Sequence, residues 1–103
     1  MLRIEYSAQV ADDIDRIVEH LVVHKVPDPL RRIDEILLAI DVLAVNPCIG
    51  RPLPGGRREL VIGRDHRGYL ARYRYIEMRD LVFVEAIRSQ REAGYVDSSS
   101  ANR

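Results

Sequence analysis

The sequence predicts an α+β domain of order β-α-α-β-β-β, a helical hairpin packed on one face of a mainly antiparallel four-stranded sheet. Three observations lead there. Residues 68–89 form the plainest hairpin in the chain, with alternating aromatic and β-branched residues on both sides of a short polar break. Residues 8–45 carry two apolar stripes at helical spacing, separated by Val26-Pro-Asp-Pro29. The last three strands are joined by turns short enough to make them antiparallel neighbours.

Leu2, Ile4 and Tyr6 alternate with Arg3 and Glu5, which reads as a short first strand. Ser7 then stands where an N-cap is wanted, with Asp12 and Asp13 near the positive end of the helix that follows. Val10, Ile14, Ile17, Val18, Leu21 and Val22 give that helix, over 8–25, one buried stripe. Asp28 is a suitable cap and Pro29 a suitable first residue for a second helix. Leu30, Ile33, Ile36, Leu37, Ile40 and Leu43 continue it to about Val45, where Asn46-Pro47 stops it.

Residues 46–56 hold three prolines and three glycines in eleven positions and predict a rigid connector. A strand follows over 57–63, then a turn at 64–67. In the 68–77 strand, alternation puts Tyr69, Ala71, Tyr73 and Tyr75 on one face and Leu70, Arg72, Arg74 and Ile76 on the other. The last strand, with Leu81, Phe83 and Ile87 alternating against Val82, Val84 and Ala86, reads as buried on both sides and central. Burying all four strands places both helices on one face, so part of the other stays available. Residues 1–97 read as one domain and 98–103 as a flexible tail.

Length and composition describe one ordinary globular domain: 103 residues, 47% hydrophobic and 31% charged. No apolar run reaches the roughly 18 residues that span a bilayer. The first residues lack a signal-peptide layout, so a cytoplasmic location is expected. Cys48 is the single cysteine, which excludes an internal disulfide and zinc-finger spacing. His20 and His24 are four apart but lack a third ligand nearby, so they read as helix-surface residues and no metal is expected. No phosphate-cradling glycine loop, Gly-x-Ser-x-Gly elbow or Cys/His nucleophile pair is present.

The zero net charge hides an asymmetry. Residues 1–50 hold five Arg or Lys against nine Asp or Glu, whereas residues 51–103 hold eleven arginines against seven acids. Such a bias predicts an anionic or acidic partner for the second half, with a solvated basic face as the structural alternative. The candidate contacts are Arg57, Arg58, Arg72, Arg74, Arg88 and Arg91. Internal pairing competes for them: Arg72 and Arg74 with helix acids, Arg88 and Arg91 with Glu85 or Glu92. Tyr69, Tyr73 and Tyr75 read as core aromatics with one wet end.

The element order resembles that of the RelE/ParE superfamily, toxins of bacterial type II toxin–antitoxin pairs. So do Asn-Pro-x-x-Gly-Arg-Pro at 46–52, the Arg-Glu-Leu-Val strand, Gly-Tyr-x-x-x-Tyr from Gly68, and Ala-Ile-Arg-Ser-Gln-Arg-Glu-Ala-Gly-Tyr95. The resemblance covers residues 2–95 and implies one of two activities. RelE-like members cut messenger RNA in the ribosomal A site; ParE-like members poison DNA gyrase. In the RNase branch, basic residues neutralise phosphate without a metal while a tyrosine or another group handles protons during 2′-hydroxyl attack.

Leu70 stands where that branch has an arginine after Gly-Tyr, and Val61 and Gly63 match its lysines. Arg72 lies on the same strand face as Leu70, roughly 7 Å further on. Arg91 and Tyr95 match the late arginine and terminal tyrosine, although they are closer together here. The RNase set would therefore be Arg91, Tyr95 and Arg72. Losing a well-placed charge to a scissile phosphate costs orders of magnitude in rate, so the incomplete set favours the ParE branch. The resemblance implies a ParDE-like toxin that poisons gyrase, needs no cofactor, and is neutralised by a small antitoxin whose disordered acidic segment folds as it wraps the toxin. The alternatives are a ribosome-dependent endoribonuclease and a degenerate member that only binds its partner.

Overall fold

Alternation in the last hairpin organises the molecule, because its two strands supply most of the surface on which the helices pack. The structure is a computed structural model and describes residues 1–64 and 67–96. Strands β4 (Tyr69–Ile76) and β5 (Leu81–Ser89) pair antiparallel. Three more strands, β1 (Arg3–Tyr6), β2 (Arg51–Leu53) and β3 (Arg57–Ile62), complete a five-stranded sheet of order β1-β5-β4-β3-β2. The pairing is antiparallel except between β1 and β5, which run parallel.

The class is thus α+β, as expected, with one strand more than predicted. The extra strand lies in the connector: Arg51, Pro52 and Leu53 pair with Glu59, Arg58 and Arg57. Three residues with a central proline give no alternation to read, and an edge strand is where proline is tolerated. β5 lies between β4 and β1 in the interior of the sheet, as expected, and the middle strand of the five is β4. The expected turn at 64–67 falls partly, and the tail at 98–103 wholly, outside the described residues.

Helices α1 (Ala8–Val23) and α2 (Pro29–Asp41) pack on one side of the sheet, and a 3-10 turn, Val42–Ala44, extends α2. Their stripes, Val10, Ile17 and Leu21 with Ile33, Ile36, Ile40 and Leu43, bury against Tyr69, Ala71, Tyr73, Val82, Val84 and Ile87. Each fully buried aliphatic side chain contributes on the order of 2 kcal/mol. Tyr73 is fully buried and still satisfied: its hydroxyl accepts from Gly50 N at 2.9 Å and donates to the Pro47 carbonyl at 2.7 Å. A Cβ on Gly50 would lie 2.7 Å from the Tyr73 ring and 2.9 Å from the Glu59 carbonyl oxygen, so only glycine lets the connector close over this phenol. That closure pins the connector to the sheet.

A β-bulge interrupts the ladder between β4 and β5. Arg72 pairs with Ala86 and Tyr73 with Val84, which leaves Glu85 as the extra residue of β5. The extra residue shifts the alternation, so Val82, Val84 and Ile87 all reach the helix side, while Glu85 stays on the face of Phe83 that points away from it. Beyond Val84, β1 no longer covers β5, and side chains take over the unpaired edge. Ser7 donates through Oγ to the Glu85 carbonyl at 2.6 Å, while Asp13 Oδ2 accepts from Ile87 N at 2.8 Å and Arg16 donates to the Ile87 carbonyl at 3.2 Å. Ser7 occupies the N-cap position without capping through its side chain, and Asp28 sits in the left-handed region at φ 51° with no capping bond either. Both caps expected from sequence are corrected. In each case position was legible and side-chain direction was not.

Candidate functional site

The open sheet face is built by the residues of β3, β4 and β5 that alternation turns away from the helices. Glu85, on the same face as Phe83, gathers three arginines from two strands. Its Oε1 lies 2.9 Å from Arg57 Nε and 3.1 Å from Arg72 Nε, and its Oε2 lies 3.0 Å from Arg74 Nε. The Arg57 contact is close but poorly aligned, and its Nε has no hydrogen-bond partner among the described residues. One carboxylate thus spreads over three guanidinium groups, a net cationic cluster with part of its charge already answered.

Beside it lies a second carboxylate, Glu59, only 5% exposed. Arg51 donates to Oε1 through Nε at 2.8 Å and also through Nη2, and the Tyr95 hydroxyl donates to Oε2 at 2.7 Å. Burial alone would raise the Glu59 pKa, but the Tyr95 and Arg51 bonds outweigh it and hold the carboxyl below its usual range. Tyr95 is pushed the other way, well above the ordinary phenol range, first by burial and then by its bond to Glu59. Two guanidinium groups approach its ring, with Arg72 Cζ at 4.8 Å and Arg88 Cζ at 5.1 Å from the centroid. The last described residues therefore lie across this face.

The six arginines expected to form one cationic surface are divided. Arg57, Arg72 and Arg74 converge on Glu85. Arg88 donates to the carbonyls of Glu92 at 2.7 Å and Ser89 at 3.3 Å. Arg58 turns to the connector and holds the carbonyls of Gly50 at 2.8 Å and Cys48 at 3.1 Å. Arg91 is exposed and borders a groove on the helix side. Of the residues matched to the RNase branch, Arg72 and Tyr95 come together and Arg91 is separate from them. Leu70 is buried at 4% exposure, and Gly63 lies in a turn at φ 79°.

The groove, about 630 Å³, runs between the C-terminal part of α1 and the rim of β4 and β5. Ile17, Leu21, Val26 and Tyr69 form its apolar floor, and Arg32, Arg67 and Arg91 stand around it. One wall is an internal ion pair: Arg16 Nε meets Glu92 Oε1 at 2.7 Å and Arg16 Nη1 meets the buried Asp13 at 2.7 Å. Although burial opposes its charge, these two carboxylates raise the Arg16 pKa further. His20 and His24 also line the groove, their ring centroids 4.1 Å apart and both side chains exposed. No group of three His, Cys, Asp or Glu suited to a metal occurs among the described residues. Sequence reading passed over Arg32 and Arg67, since one sits in an amphipathic helix and the other in a turn, and only the tertiary fold brings them beside Arg91.

No described helix is long and apolar enough to cross a membrane. The family model described as the ParE toxin of the type II toxin–antitoxin system, parDE, matches residues 4–94. Among solved structures, the chain is similar to one from the chromosomal ParDE toxin–antitoxin system of P. aeruginosa, with a TM-score of 0.72 and 25% identity. That match covers 86% of this chain and 96% of the other. It is also similar to a chain of the intact E. coli RelBE toxin–antitoxin complex, at TM-score 0.60 and 15% identity over the same shares, a likeness of fold alone. No curated protein matches by sequence.

Proposed function

From the family to which this chain belongs, the ParE toxins of type II toxin–antitoxin systems, we propose that it arrests growth in the cytoplasm by binding DNA gyrase, with no chemistry of its own, and that a small cognate antitoxin neutralises it. The observation that carries the choice of target is the Glu85 cluster. A scissile phosphate entering this face would have to displace a carboxylate already held by Arg57, Arg72 and Arg74. Beside it, Leu70 offers no charge, and Tyr95 is held in its neutral form by burial and Glu59, so it is poorly suited to take a proton from a 2′-hydroxyl at neutral pH. These features favour a surface that binds a protein over one that cleaves RNA.

A purified preparation is expected to inhibit supercoiling by gyrase and to leave translated messages intact. Unimpeded supercoiling at a large molar excess of toxin would remove the gyrase reading. The second reading, a ribosome-dependent endoribonuclease, draws on the closeness of the Tyr95 ring to Arg72 and Arg88. It requires cuts in translated messages, mapped by primer extension, that disappear in Tyr95→Phe and Arg72→Ala.

A further inference from the structure

We infer that His20 and His24, at the C-terminal end of α1, together hold a late first-row transition-metal ion, Cu(II), Ni(II) or Zn(II), with water in its remaining positions. The inference does not depend on the target proposed above.

Spacing carries the first step. Residues four apart stand one above the other on a helix, the arrangement in which two imidazoles chelate one ion. His20 lies in the last turn of α1 and His24 is its C-cap, and both side chains are exposed. Their rings already meet, with centroids 4.1 Å apart and planes inclined at 33°. An ion bound at about 2.0–2.1 Å to each of two nitrogens holds those nitrogens roughly 3 Å apart. Reaching that distance asks only for a rotation of the His20 ring, which makes no hydrogen bond among the described residues.

The His24 ring is oriented as a ligand's would be. Its Nδ1 lies 2.9 Å from the His20 carbonyl oxygen. A carbonyl only accepts, so Nδ1 carries the proton and the neutral ring keeps its lone pair on Nε2. Metal-bound histidines almost always donate their second nitrogen in this way, to a backbone carbonyl or a carboxylate, which fixes tautomer and direction. The helix adds a field of the right sign, because its C-terminal end is the negative end of the macrodipole and favours a cation.

The surroundings choose among cations. Arg32, Arg67 and Arg91 stand around the same groove, and the carboxylate that lines it, Glu92, is engaged by Arg16. A cationic rim of this kind disfavours Mg(II) and Ca(II), which require oxygen ligands. Imidazole nitrogen suits Zn(II), Ni(II) and Cu(II), with Cu(II) bound most tightly. Two protein ligands fall short of the four in a closed structural zinc site, so the Kd for Zn(II) should be on the order of 10 μM.

The test titrates the full chain with the salts of Cu(II), Zn(II) and Mg(II) in a calorimeter. One ion of Cu(II) or Zn(II) should bind per chain, Cu(II) the more tightly, and Mg(II) should not bind. His20→Ala and His24→Gln should each weaken Zn(II) binding at least about tenfold, a loss of about 1.4 kcal/mol, whereas Cys48→Ser should leave it unchanged. Electron paramagnetic resonance of the Cu(II) form should show imidazole nitrogens from both residues, and one fewer in either variant. Zn(II) in large excess over Kd should raise the thermal midpoint of the wild type by about 5 °C or more, and leave that of His20→Ala/His24→Gln where it was. Both side chains are exposed, and metal-free midpoints matching wild type show that the variants fold. Absence of binding at millimolar Zn(II), equal affinity in the histidine variants, loss in Cys48→Ser alone, or binding of Mg(II) as tight as that of Zn(II) would overturn the assignment.

Discussion

The open sheet face and the helix-side groove both collect arginines, yet the two are held in opposite ways. On the sheet face, Arg57, Arg72 and Arg74 converge on Glu85, and Arg51 holds Glu59, both carboxylates supplied by the strands that carry the arginines or pair with them. Such a cluster braces the sheet where the bulge has disturbed its ladder. Around the groove, Arg32, Arg67 and Arg91 come from three separate parts of the chain, and the nearby Glu92 is engaged by Arg16. Counting arginines does not separate these cases; counting the carboxylates within reach does. The first set is paired within the sheet, and the side chains of the second have no described hydrogen bond or ion pair.

The sharpest way to break this contrast is to remove Glu85. Glu85→Ala would leave three guanidinium groups crowded on one face without their shared carboxylate, and stability should fall by about 2–3 kcal/mol, less than for a fully buried pair because Arg57 and Arg74 are partly in water. Urea denaturation measures this directly. A loss below about 0.5 kcal/mol would mean that the cluster is solvated and that the two regions do not differ.

A smaller effect is expected at Tyr95. Tyr95→Phe keeps the ring beside Arg72 and Arg88 and removes the hydrogen bond to Glu59, so about 1–2 kcal/mol should be lost at neutral pH. The pH dependence carries its own signature. Because the folded pKa of Tyr95 is raised above the unfolded value of about 10, the stability it contributes is complete below about pH 10 and is lost as pH rises towards the folded pKa. Glu59 runs the other way: its folded pKa is lowered, so its contribution is present above about pH 4.3 and is lost as pH falls through the folded value. Unfolding curves above pH 10 should be shallower in pH for Tyr95→Phe than for wild type. Parallel curves would show that the phenol is not coupled to the sheet face.

The contrast also explains what the sequence could and could not reveal. Element order, both helical stripes and the inward Tyr69, Ala71 and Tyr73 follow from periodicity, because a one-sided core demands the same spacing that it leaves in the sequence. The bulge left no such trace: it moves Ile87 to the helix side, off the face that alternation gives it with Phe83 and Glu85. Strand β2 was hidden for a related reason, since three residues around Pro52 are too few to show a period. Ser7 was placed correctly at the start of α1, but its hydroxyl goes to a bare β5 carbonyl, a demand that arises only once β1 has ended. The arginine bias of residues 51–103 was legible as charge. Its division between two surfaces depended on which side chains each carboxylate could reach, and α2 contributed Arg32 from the half of the chain that had read as acidic.

The least disruptive change should be the one at the groove, and its small size is informative. Arg67→Glu/Arg91→Glu alters the net charge by four units without touching a described hydrogen bond or ion pair of either side chain, and both residues are exposed. Substitutions at such positions usually stay within about 0.5 kcal/mol. The urea midpoint should therefore remain close to wild type, or rise slightly if like-charge repulsion among Arg32, Arg67 and Arg91 is relieved. Added salt separates the two outcomes, since relief of repulsion shrinks as screening increases and a lost contact between exposed chains would not reappear. A loss on the scale of Glu85→Ala would show that these arginines also hold the fold together, and that the groove's cations are no freer than those of the sheet.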